Sequence, residues 1–518
     1  MRSIRRVTDD NSYVDEVNDV VEFTSKEKKF LGFLKEQNAY KEALTTLQWD
    51  SHTQIPRGGV DQRSEVVGIL SGKLQQAETS DRMKDFIDEM KMTSENEFIR
   101  KVAEECERVY DKNRKIPNAD YQGYVTLCSK AESVWEEARE KDDFSLFEPY
   151  LTEIVGYNQE FAELWGYEGD RYNALLDNNE TGVTVEMLDK VFPELRKSLT
   201  RLIEQVQASP VKADVSLLKT PFPVESQKAL SEAMLKMIGY RFEDGRLDTS
   251  VHPYSFAINP NDVRLSTKYD GNDFRTSVFS AVHEGGHALY EQNIGRNLMG
   301  TPLSAASSMG MHESQSLYWE MFVTADKRFW ETNYDWFRSF APDHFKSVSL
   351  DDFYLALHDV KASLIRIEAD PLTYSMHIML RYELEKALLN GDVKASELPH
   401  IWNELMQKYL GVVPENNRDG VLQDIHWSSG DFGYFPSYTL GYLYAAQLHN
   451  TMKKEISFES CLQTNDFLSI RQWFTEHVHR HGKNKQPLEL LKQVTSEELN
   501  PTYLLQYLTE KYGAIYQF

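Results

Sequence analysis

The sequence predicts a mainly α-helical protein with one small β-hairpin or sheet. Glycine and proline number only 26 and 17 of 518 residues, which is below the roughly 7% and 5% of average proteins, so turns must be sparse and elements long. Apolar residues recur at helical spacing along most of the chain, and one short region has strand and turn character instead. A chain of this length would ordinarily form about three domains. We nevertheless expect one large domain over residues 26–518, because the motifs described below must converge on one site.

The N-terminal part of the chain is predicted to form one wall of this helical body. Residues 1–25 are polar and acidic without clear periodicity, and we expect a loosely ordered extension there. Ser25 then resembles the N-cap of a first helix. From 26 to 206 the apolar spacing is helical almost throughout. Prolines interrupt the pattern between 207 and 224, which is as consistent with a bridge inside the domain as with a linker.

A short region in the middle of the chain is predicted to be a β-hairpin. Two runs, 255–258 and 263–269, flank the turn signal Asn-Pro-Asn-Asp at 259–262, and this pattern is typical of two paired strands. A helix is expected to begin near Phe274, with a polar cap before it. Helical texture continues to the C-terminus, with its chief interruption at 430–436. We expect residues 251–440 to carry the active site.

Composition excludes several classes of partner. The formal net charge is -24, whereas nucleic-acid binding depends on clustered lysine and arginine. No stretch approaches the roughly 18 to 20 uncharged apolar residues of a membrane span. The N-terminus has no apolar segment typical of a secretory signal, and the three cysteines are far apart in the sequence, as expected for reduced thiols. We therefore expect a cytoplasmic protein that binds neither nucleic acid nor membranes.

The predicted helix from Phe274 contains His283-Glu284-Gly285-Gly286-His287, a match to the H-E-x-x-H pattern. Histidines four residues apart lie on one helix face, so both imidazoles can bind one zinc ion, with Glu284 beside it as a general base. Two consecutive glycines cost a helix roughly 1 kcal/mol each relative to alanine. We expect them to leave space for a neighbouring helix or for substrate.

A catalytic zinc site of this type needs a third protein ligand and an open position. Glu313 is the leading candidate, because it lies downstream on a probable helix that can pack against the first and would complete a His2Glu site. The adjacent His312 is a rival, although it would point about 100° away from Glu313 on a helix. Position 293 is asparagine, so the third histidine of the metzincin pattern is absent. If His312 is not a ligand, we expect it near the substrate.

Beyond the zinc motif, the sequence resembles the M32 metallocarboxypeptidases, the Taq or thermostable carboxypeptidase 1 family, from about residue 26 onward. The resemblance is carried by motifs that occur in the family's order: His252-Pro253-Tyr254, Asp262-Val263-Arg264-Leu265-Ser266, His283 to His287, His312-Glu313-Ser314-Gln315, Ile365-Arg366-Ile367-Glu368-Ala369-Asp370, and Gly420-Val421-Leu422-Gln423-Asp424-Ile425-His426-Trp427. Tyr254 and Ser266 stand where the family commonly has phenylalanine and threonine. Neither departure concerns the proposed zinc ligands.

The resemblance implies a helical metallopeptidase with a deep groove, similar in architecture to neurolysin and angiotensin-converting enzyme. It also implies a homodimer that removes single residues from the C-termini of peptides with broad side-chain tolerance. The implied metal is Zn²⁺, with Co²⁺ as a substitute in some members.

In such an enzyme the negative oxygen that forms during attack requires preorganised donors. His426 is our first choice, assisted by Tyr434 or Tyr438, because a histidine and a tyrosine occupy comparable places in neurolysin-like peptidases. Spacing does not choose between the two tyrosines. Both could also be core or groove-wall residues, since aromatic residues at near-helical spacing are usually packed.

Recognition of a C-terminal carboxylate favours arginine, whose guanidinium binds carboxylates through two hydrogen bonds. Arg366 is the leading candidate, and the competing interpretation is a buried ion pair with Glu368, Asp370 or another acid. Arg264 is the second candidate; an edge strand there could serve solubility or pair with the peptide backbone. His252 is expected in the groove.

Two other functions remain compatible with the sequence. A zinc oligoendopeptidase or dipeptidyl carboxypeptidase would use the same ligands on the same kind of scaffold. A catalytically silent binding protein could retain zinc for structure alone, although the intact Glu284 argues against it.

Overall fold

A computed structural model describes residues 23–250 and 253–518. Of the predicted N-terminal extension, residues 1–22 lie outside the described part of the chain. The helices before the sheet are α1 (Ser25–Thr53), α2 (Val60–Glu78), α3 (Asp81–Thr93), α4 (Glu97–Lys115), α5 (Asn118–Lys141), α6 (Phe144–Trp165), α7 (Asn173–Asn179), α8 (Val185–Ala208) and α9 (Val224–Ile238). Three strands follow, β1 (Gly245–Thr249), β2 (Tyr254–Asn259) and β3 (Asp262–Thr267).

The helices after the sheet are α10 (Phe274–Gln292), α11 (Met309–Leu317), α12 (Lys327–Arg338), α13 (Leu350–Leu357), α14 (Tyr374–Asn390), α15 (Leu398–Leu410), α16 (Phe435–Met452), α17 (Phe458–Thr464), α18 (Phe467–His477), α19 (Pro487–Thr495) and α20 (Thr502–Tyr516). A π-helical turn, Tyr318–Thr324, continues α11 directly. The predicted mainly α fold with a small sheet is confirmed. Within the described residues, no helix combines the length and apolar character needed to cross a membrane.

Helix α1 begins one residue earlier than the sequence suggested. Thr24, not Ser25, is the N-cap, and its hydroxyl accepts the N–H of Glu27. The Glu27 carboxylate in turn accepts the N–H of Thr24 at 2.8 Å. This reciprocal pair satisfies two N–H groups at the helix start, and Ser25 has no acidic residue three positions later to form the same pair.

The early helices pack on helices from the second half of the chain. The Gln159 side chain of α6 donates to the Leu388 carbonyl of α14 at 3.0 Å, and the Tyr382 hydroxyl of α14 donates to Asp189 of α8 at 2.8 Å. Buried apolar side chains from α1 to α20 form one continuous cluster. Burial on this scale is the dominant force that holds such helices together, and it fixes α14 and α10 relative to the N-terminal wall.

The sheet has the strand order β1-β3-β2. Strands β2 and β3 form the predicted antiparallel hairpin, and β1 pairs in parallel with β3, which the sequence did not predict. Strand β3 is therefore the central strand, with both its neighbours in place. Strand β2 lies at an edge, and Trp49 of α1 packs edge-on against Tyr254 there, with ring centroids 5.4 Å apart.

Candidate active site

Three side chains from α10 and α11 converge as the sequence predicted. His283 Nε2 and His287 Nε2 lie 3.8 and 3.4 Å from Glu313 Oε2. Their potential ligand atoms are all within 4.8 Å of one another. Among the side chains that the structure describes, this is the one group of histidine, cysteine and acidic residues that could hold a metal ion. Two imidazoles and one carboxylate match a catalytic zinc site with an open fourth position.

The two histidines are oriented by partners on the far side of each ring. His283 Nδ1 donates to Glu320 Oε2 at 2.8 Å, and His287 Nδ1 donates to the backbone carbonyl of His312 at 3.0 Å. Each Nε2 atom thereby faces Glu313. Such hydrogen bonds fix the tautomer and the ring orientation of metal-binding histidines. No role for Glu320 was predicted from the sequence, although it follows Glu313 by seven residues.

The group carries surplus negative charge. Burial alone would lower the pKa of His283, but the Glu313 and Glu320 carboxylates outweigh it and raise that pKa to about 10. Burial opposes ionisation of Glu313 as well, yet His283 and His287 hold its pKa near 2. Three carboxylates, including Glu284, thus surround two histidines. A divalent cation is the natural counter-charge for this arrangement.

Close approach of the two helices depends on Gly286. A Cβ built there would lie 2.5 Å from both the Gln315 carbonyl oxygen and Ser316 Cα on α11. At Gly285 an added Cβ would meet only the side-chain ends of Leu235 and Ile238, at 2.6 and 2.9 Å. The two glycines therefore face neighbouring helices, and Gly286 is the one that lets the backbones of α10 and α11 touch.

Glu284 lies beside the three candidate ligands and is buried. Burial raises the pKa of its carboxyl group to about 7, and a hydrogen bond from the Ser255 hydroxyl on β2 partly offsets this rise. The His312 side chain lies elsewhere: its Nε2 is 3.2 Å from Glu291, and its ring stacks on His287 with centroids 4.2 Å apart. The candidate metal-binding group therefore contains Glu313 and not the side chain of His312, whose backbone carbonyl orients His287.

His426, Tyr434 and Tyr438 form one aromatic cluster. His426 Nε2 is 3.2 Å from the Tyr438 hydroxyl, and the rings of Tyr434 and Tyr438 are 5.2 Å apart. Burial and the nearby Arg366 charge lower the pKa of His426 to about 3, so its imidazole is neutral. Burial raises the pKa of both tyrosines, so both keep their hydroxyl protons. Helix α16, which carries Tyr438, also packs closely against Glu313, because a Cβ built at Gly441 would lie 2.7 Å from Glu313 Cγ.

Arg366 is buried and paired, and its partner is Asp424. Its Nε and Nη2 donate to Asp424 Oδ1 at 2.9 and 2.8 Å, while Nη1 donates to the Tyr374 hydroxyl at 3.0 Å. Arg381 donates to the other oxygen of Asp424 at 2.7 Å. Two guanidinium groups thus share one carboxylate, which leaves one net positive charge. The guanidinium carbon of Arg366 lies 5.0 Å from the Tyr438 ring centroid.

Arg264 has a local partner instead. Its Nε and Nη2 donate to Asp262 at 2.8 and 2.7 Å. The expectation that its strand is an edge was wrong, because β1 occupies the side of β3 that β2 leaves free. Strand β3 therefore has no open edge for a peptide, and β2 is the edge strand of the hairpin. His252 lies outside the described residues.

Glu180 anchors the beginning of α11, which the sequence did not reveal. This fully buried carboxylate accepts the N–H of Gly310 and the hydroxyl of Tyr444 at 3.2 Å. Burial raises its pKa to about 7. Gly310 lies three residues before Glu313, so the acceptor for the first turn of α11 comes from the end of α7.

The sequence matches the profile of the family described as "Carboxypeptidase Taq (M32) metallopeptidase" over residues 29–512. It is 48% identical to "Carboxypeptidase 1" of Bacillus subtilis, over 96% of this chain and 100% of that protein. It is 37% identical to "Thermostable carboxypeptidase 1" of Thermus thermophilus, over 93% and 97%. A crystal structure of an M32 carboxypeptidase from Deinococcus radiodurans R1 superposes with a TM-score of 0.93 at 30% identity, covering 96% of this chain and 100% of that one.

Proposed function

The chain belongs to the M32 family of metallopeptidases, and on this premise we propose that it removes single residues from the C-termini of peptides with broad specificity. The observation that carries the proposal is the convergence of His283, His287 and Glu313 within 4.8 Å. These residues would hold Zn²⁺, with Co²⁺ as a possible substitute. When bound, the ion supplies a Lewis acid that activates water and polarises the scissile carbonyl group.

Glu284 is the proposed general base. Its carboxylate is positioned beside the metal-facing side chains, and the Ser255 hydroxyl hydrogen-bonds to it. Glu284 takes a proton from the attacking water and then delivers it to the departing amine, so one carboxyl group serves both steps. This role accounts for a buried carboxyl group that is not one of the metal ligands.

His426 and one or both of its tyrosine neighbours are the proposed oxyanion donors. A neutral imidazole and two protonated hydroxyl groups within one cluster can donate hydrogen bonds without first changing their charge. Removing one such donor typically lowers kcat by about 10²- to 10³-fold. The 3.2 Å contact between His426 and Tyr438 favours these two as a unit, with Tyr434 packed against Tyr438.

Arg366 is the proposed anchor of the substrate's C-terminal carboxylate. The pair of arginines on Asp424 leaves one positive charge without a counter-charge in the cluster, and an incoming carboxylate would neutralise it. Arg264 is the weaker candidate, because the Asp262 carboxylate balances its single charge, whereas Arg366 and Arg381 share one carboxylate. We further propose a cytoplasmic homodimer that acts on peptides, with His312 and His252 near the substrate.

The direct test is mass spectrometry of a peptide after timed digestion. The wild type should produce a ladder of single C-terminal losses, which disappears with a chelator and returns with zinc. Internal cuts or losses of two residues would instead identify an oligoendopeptidase or a dipeptidyl carboxypeptidase.

A pair of matched variants tests the chemistry at Glu284. Glu284→Gln should retain zinc and lose peptide release, whereas Glu368→Gln, which removes an exposed carboxylate beside Arg366, should retain both. Unchanged release by Glu284→Gln would refute the assigned base. Zinc content is measured in the same preparations.

A further inference from the structure

Another buried carboxylate, Glu385 on α14, contacts the chain next to His426 and next to Tyr434. Its side chain is completely buried and accepts three hydrogen bonds. The Trp427 indole N–H donates to Oε1 at 2.8 Å, and the Gly433 backbone N–H donates to Oε2 at 3.0 Å. The Tyr172 hydroxyl donates to Oε2 at 2.6 Å. A buried carboxylate with this many donors is strongly fixed in position.

Two of these donors belong to the segment that carries the proposed oxyanion donors. Trp427 immediately follows His426, and Gly433 immediately precedes Tyr434. The Glu385 carboxylate therefore binds the segment 426–434 at two positions, one next to His426 and one next to Tyr434. Gly433 has a φ of +80° and a Cβ there would lie 2.7 Å from the Leu175 backbone, so this end of the segment has little room to move.

Helix α14 also binds the residues just before this segment. Arg381, one turn before Glu385, donates to Asp424 at 2.7 Å and to the Gln423 side chain at 2.9 Å. Residues four apart lie on the same helix face. On one face of α14, the Arg381 guanidinium group therefore binds residues 423 and 424, and the Glu385 carboxylate binds residues 427 and 433.

We propose that Glu385 is a positioning residue for catalysis, which acts by holding His426 and Tyr434 in place through Trp427 and Gly433. Oxyanion donors are effective only when their geometry is fixed before the reaction, and a displacement of about 1 Å can cost about 10²-fold in rate. Glu385 itself contacts neither substrate nor metal in this assignment. The inference rests on the proposed oxyanion role of His426, and of Tyr434 either as a donor or as the residue packed against the donor Tyr438.

The central variant is Glu385→Gln, which keeps the shape of the side chain. One acceptor oxygen becomes an NH2 group, so either Trp427 or Gly433 loses its acceptor. We expect kcat to fall by about 10- to 100-fold, with zinc content and KM little changed, because the lost contacts act in the transition state. Tyr172→Phe is the matched control: it removes one donor to the same carboxylate from outside the segment, and kcat should stay within about twofold.

A second variant, Trp427→Phe, breaks one of the two ties and leaves Glu385 intact. We expect a fall in kcat of about 3- to 10-fold at constant zinc content. This variant keeps the proposal testable if Glu385→Gln does not fold. The proposal is overturned if Trp427→Phe keeps the wild-type kcat while Glu385→Gln either keeps it as well or does not fold.

A double-mutant comparison separates positioning from general stability. In the background His426→Phe/Tyr434→Phe, the additional change Glu385→Gln should lower kcat by less than about threefold, because the groups it positions are gone. If the combined variant instead loses kcat by the product of the factors for Glu385→Gln and for the background, Glu385 has a structural role and the inference is overturned. If His426→Phe/Tyr434→Phe keeps the wild-type kcat, the proposed oxyanion role fails. If that variant loses activity but the Glu385 and Trp427 variants keep the wild-type kcat, only the positioning role of Glu385 fails.

Discussion

The close contact between α10 and α11 makes Gly286→Ala a sensitive perturbation of the metal site. The added methyl carbon would lie 2.5 Å from two backbone atoms of α11, whereas ordinary contacts begin at 3.4 Å. Backbone cannot rotate away as a side chain can, so the two helices must separate locally by about 0.9 Å, the difference between these distances.

This separation acts directly on the ligand geometry. His287 follows Gly286, and Glu313 lies two residues before Gln315, so the shift moves ligands of different helices apart. Metal–ligand distances tolerate about 0.2 Å, and disturbances of supporting residues already cost roughly 10- to 100-fold in metal affinity. We expect a loss at least this large. For folding, overpacking costs about 1–3 kcal/mol, partly offset by about 1 kcal/mol of improved helix propensity.

Gly285→Ala provides the matched control, because it adds the same methyl group to the adjacent position. There the obstructing atoms are the side-chain ends of Leu235 and Ile238, which can adopt other rotamers. Zinc affinity should therefore remain near the wild-type value. Competition with a chromogenic chelator measures affinity, and denaturant unfolding of the metal-free proteins measures stability. Equal zinc affinity in the two alanine variants would refute the argument from helix approach.

Three further predictions concern charge. Glu320→Gln should weaken zinc binding by about 10- to 100-fold in the same competition assay, and unchanged affinity would mean that the 2.8 Å contact with His283 does not support the site. Glu180 has its pKa raised from 4.5 to about 7 in the fold, so its stabilising contribution is complete below pH 4.5 and is lost as the pH rises to 7. Denaturant unfolding of metal-free protein should thus show a smaller loss of stability over this range in Glu180→Gln than in wild type; identical pH slopes would contradict it. With a net charge of -24, peptides ending in lysine should be cleaved faster than those ending in glutamate, and the ratio should shrink between about 50 and 500 mM salt. A ratio that does not depend on salt would exclude this steering.

Local patterns in the sequence predicted those features that one element determines alone. The helix expected near Phe274 begins at that residue, and the interruption expected at 430–436 overlaps the beginning of α16 at Phe435. Histidines four residues apart could be placed on one face from helix geometry alone. The third member of the candidate metal group was also predicted, because Glu313 lies on a second predicted helix that can pack against the first.

Features created by tertiary contacts were not accessible in this way. Strand β1, Gly245–Thr249, has no run of apolar residues, and it is a strand only because β3 offers a parallel edge. Asp424 and Glu385 lie 39 positions apart in the sequence, and nothing in their local patterns indicates that both act on the segment around His426. A buried carboxylate is recognised by its donors, and the donors of Glu385 come from two distant parts of the chain, Tyr172 and the segment 426–434.

Charge is distributed unevenly across the site, and this asymmetry bears on why a peptide would be cut at its end. Glu284, Glu313 and Glu320 surround the metal-facing histidines, whereas Arg366 and Arg381 share Asp424 behind Tyr438. In the metal-free protein a terminal carboxylate would be repelled by the first group and attracted by the second, so under the proposed function we expect a peptide to bind with its C-terminus toward Arg366. His283, His287 and Glu313 could hold a divalent cation, which would offset the negative charge of the first group. We infer that, once the metal is bound, the positive cluster of Arg366 and Arg381 is the main determinant of the direction in which the peptide lies.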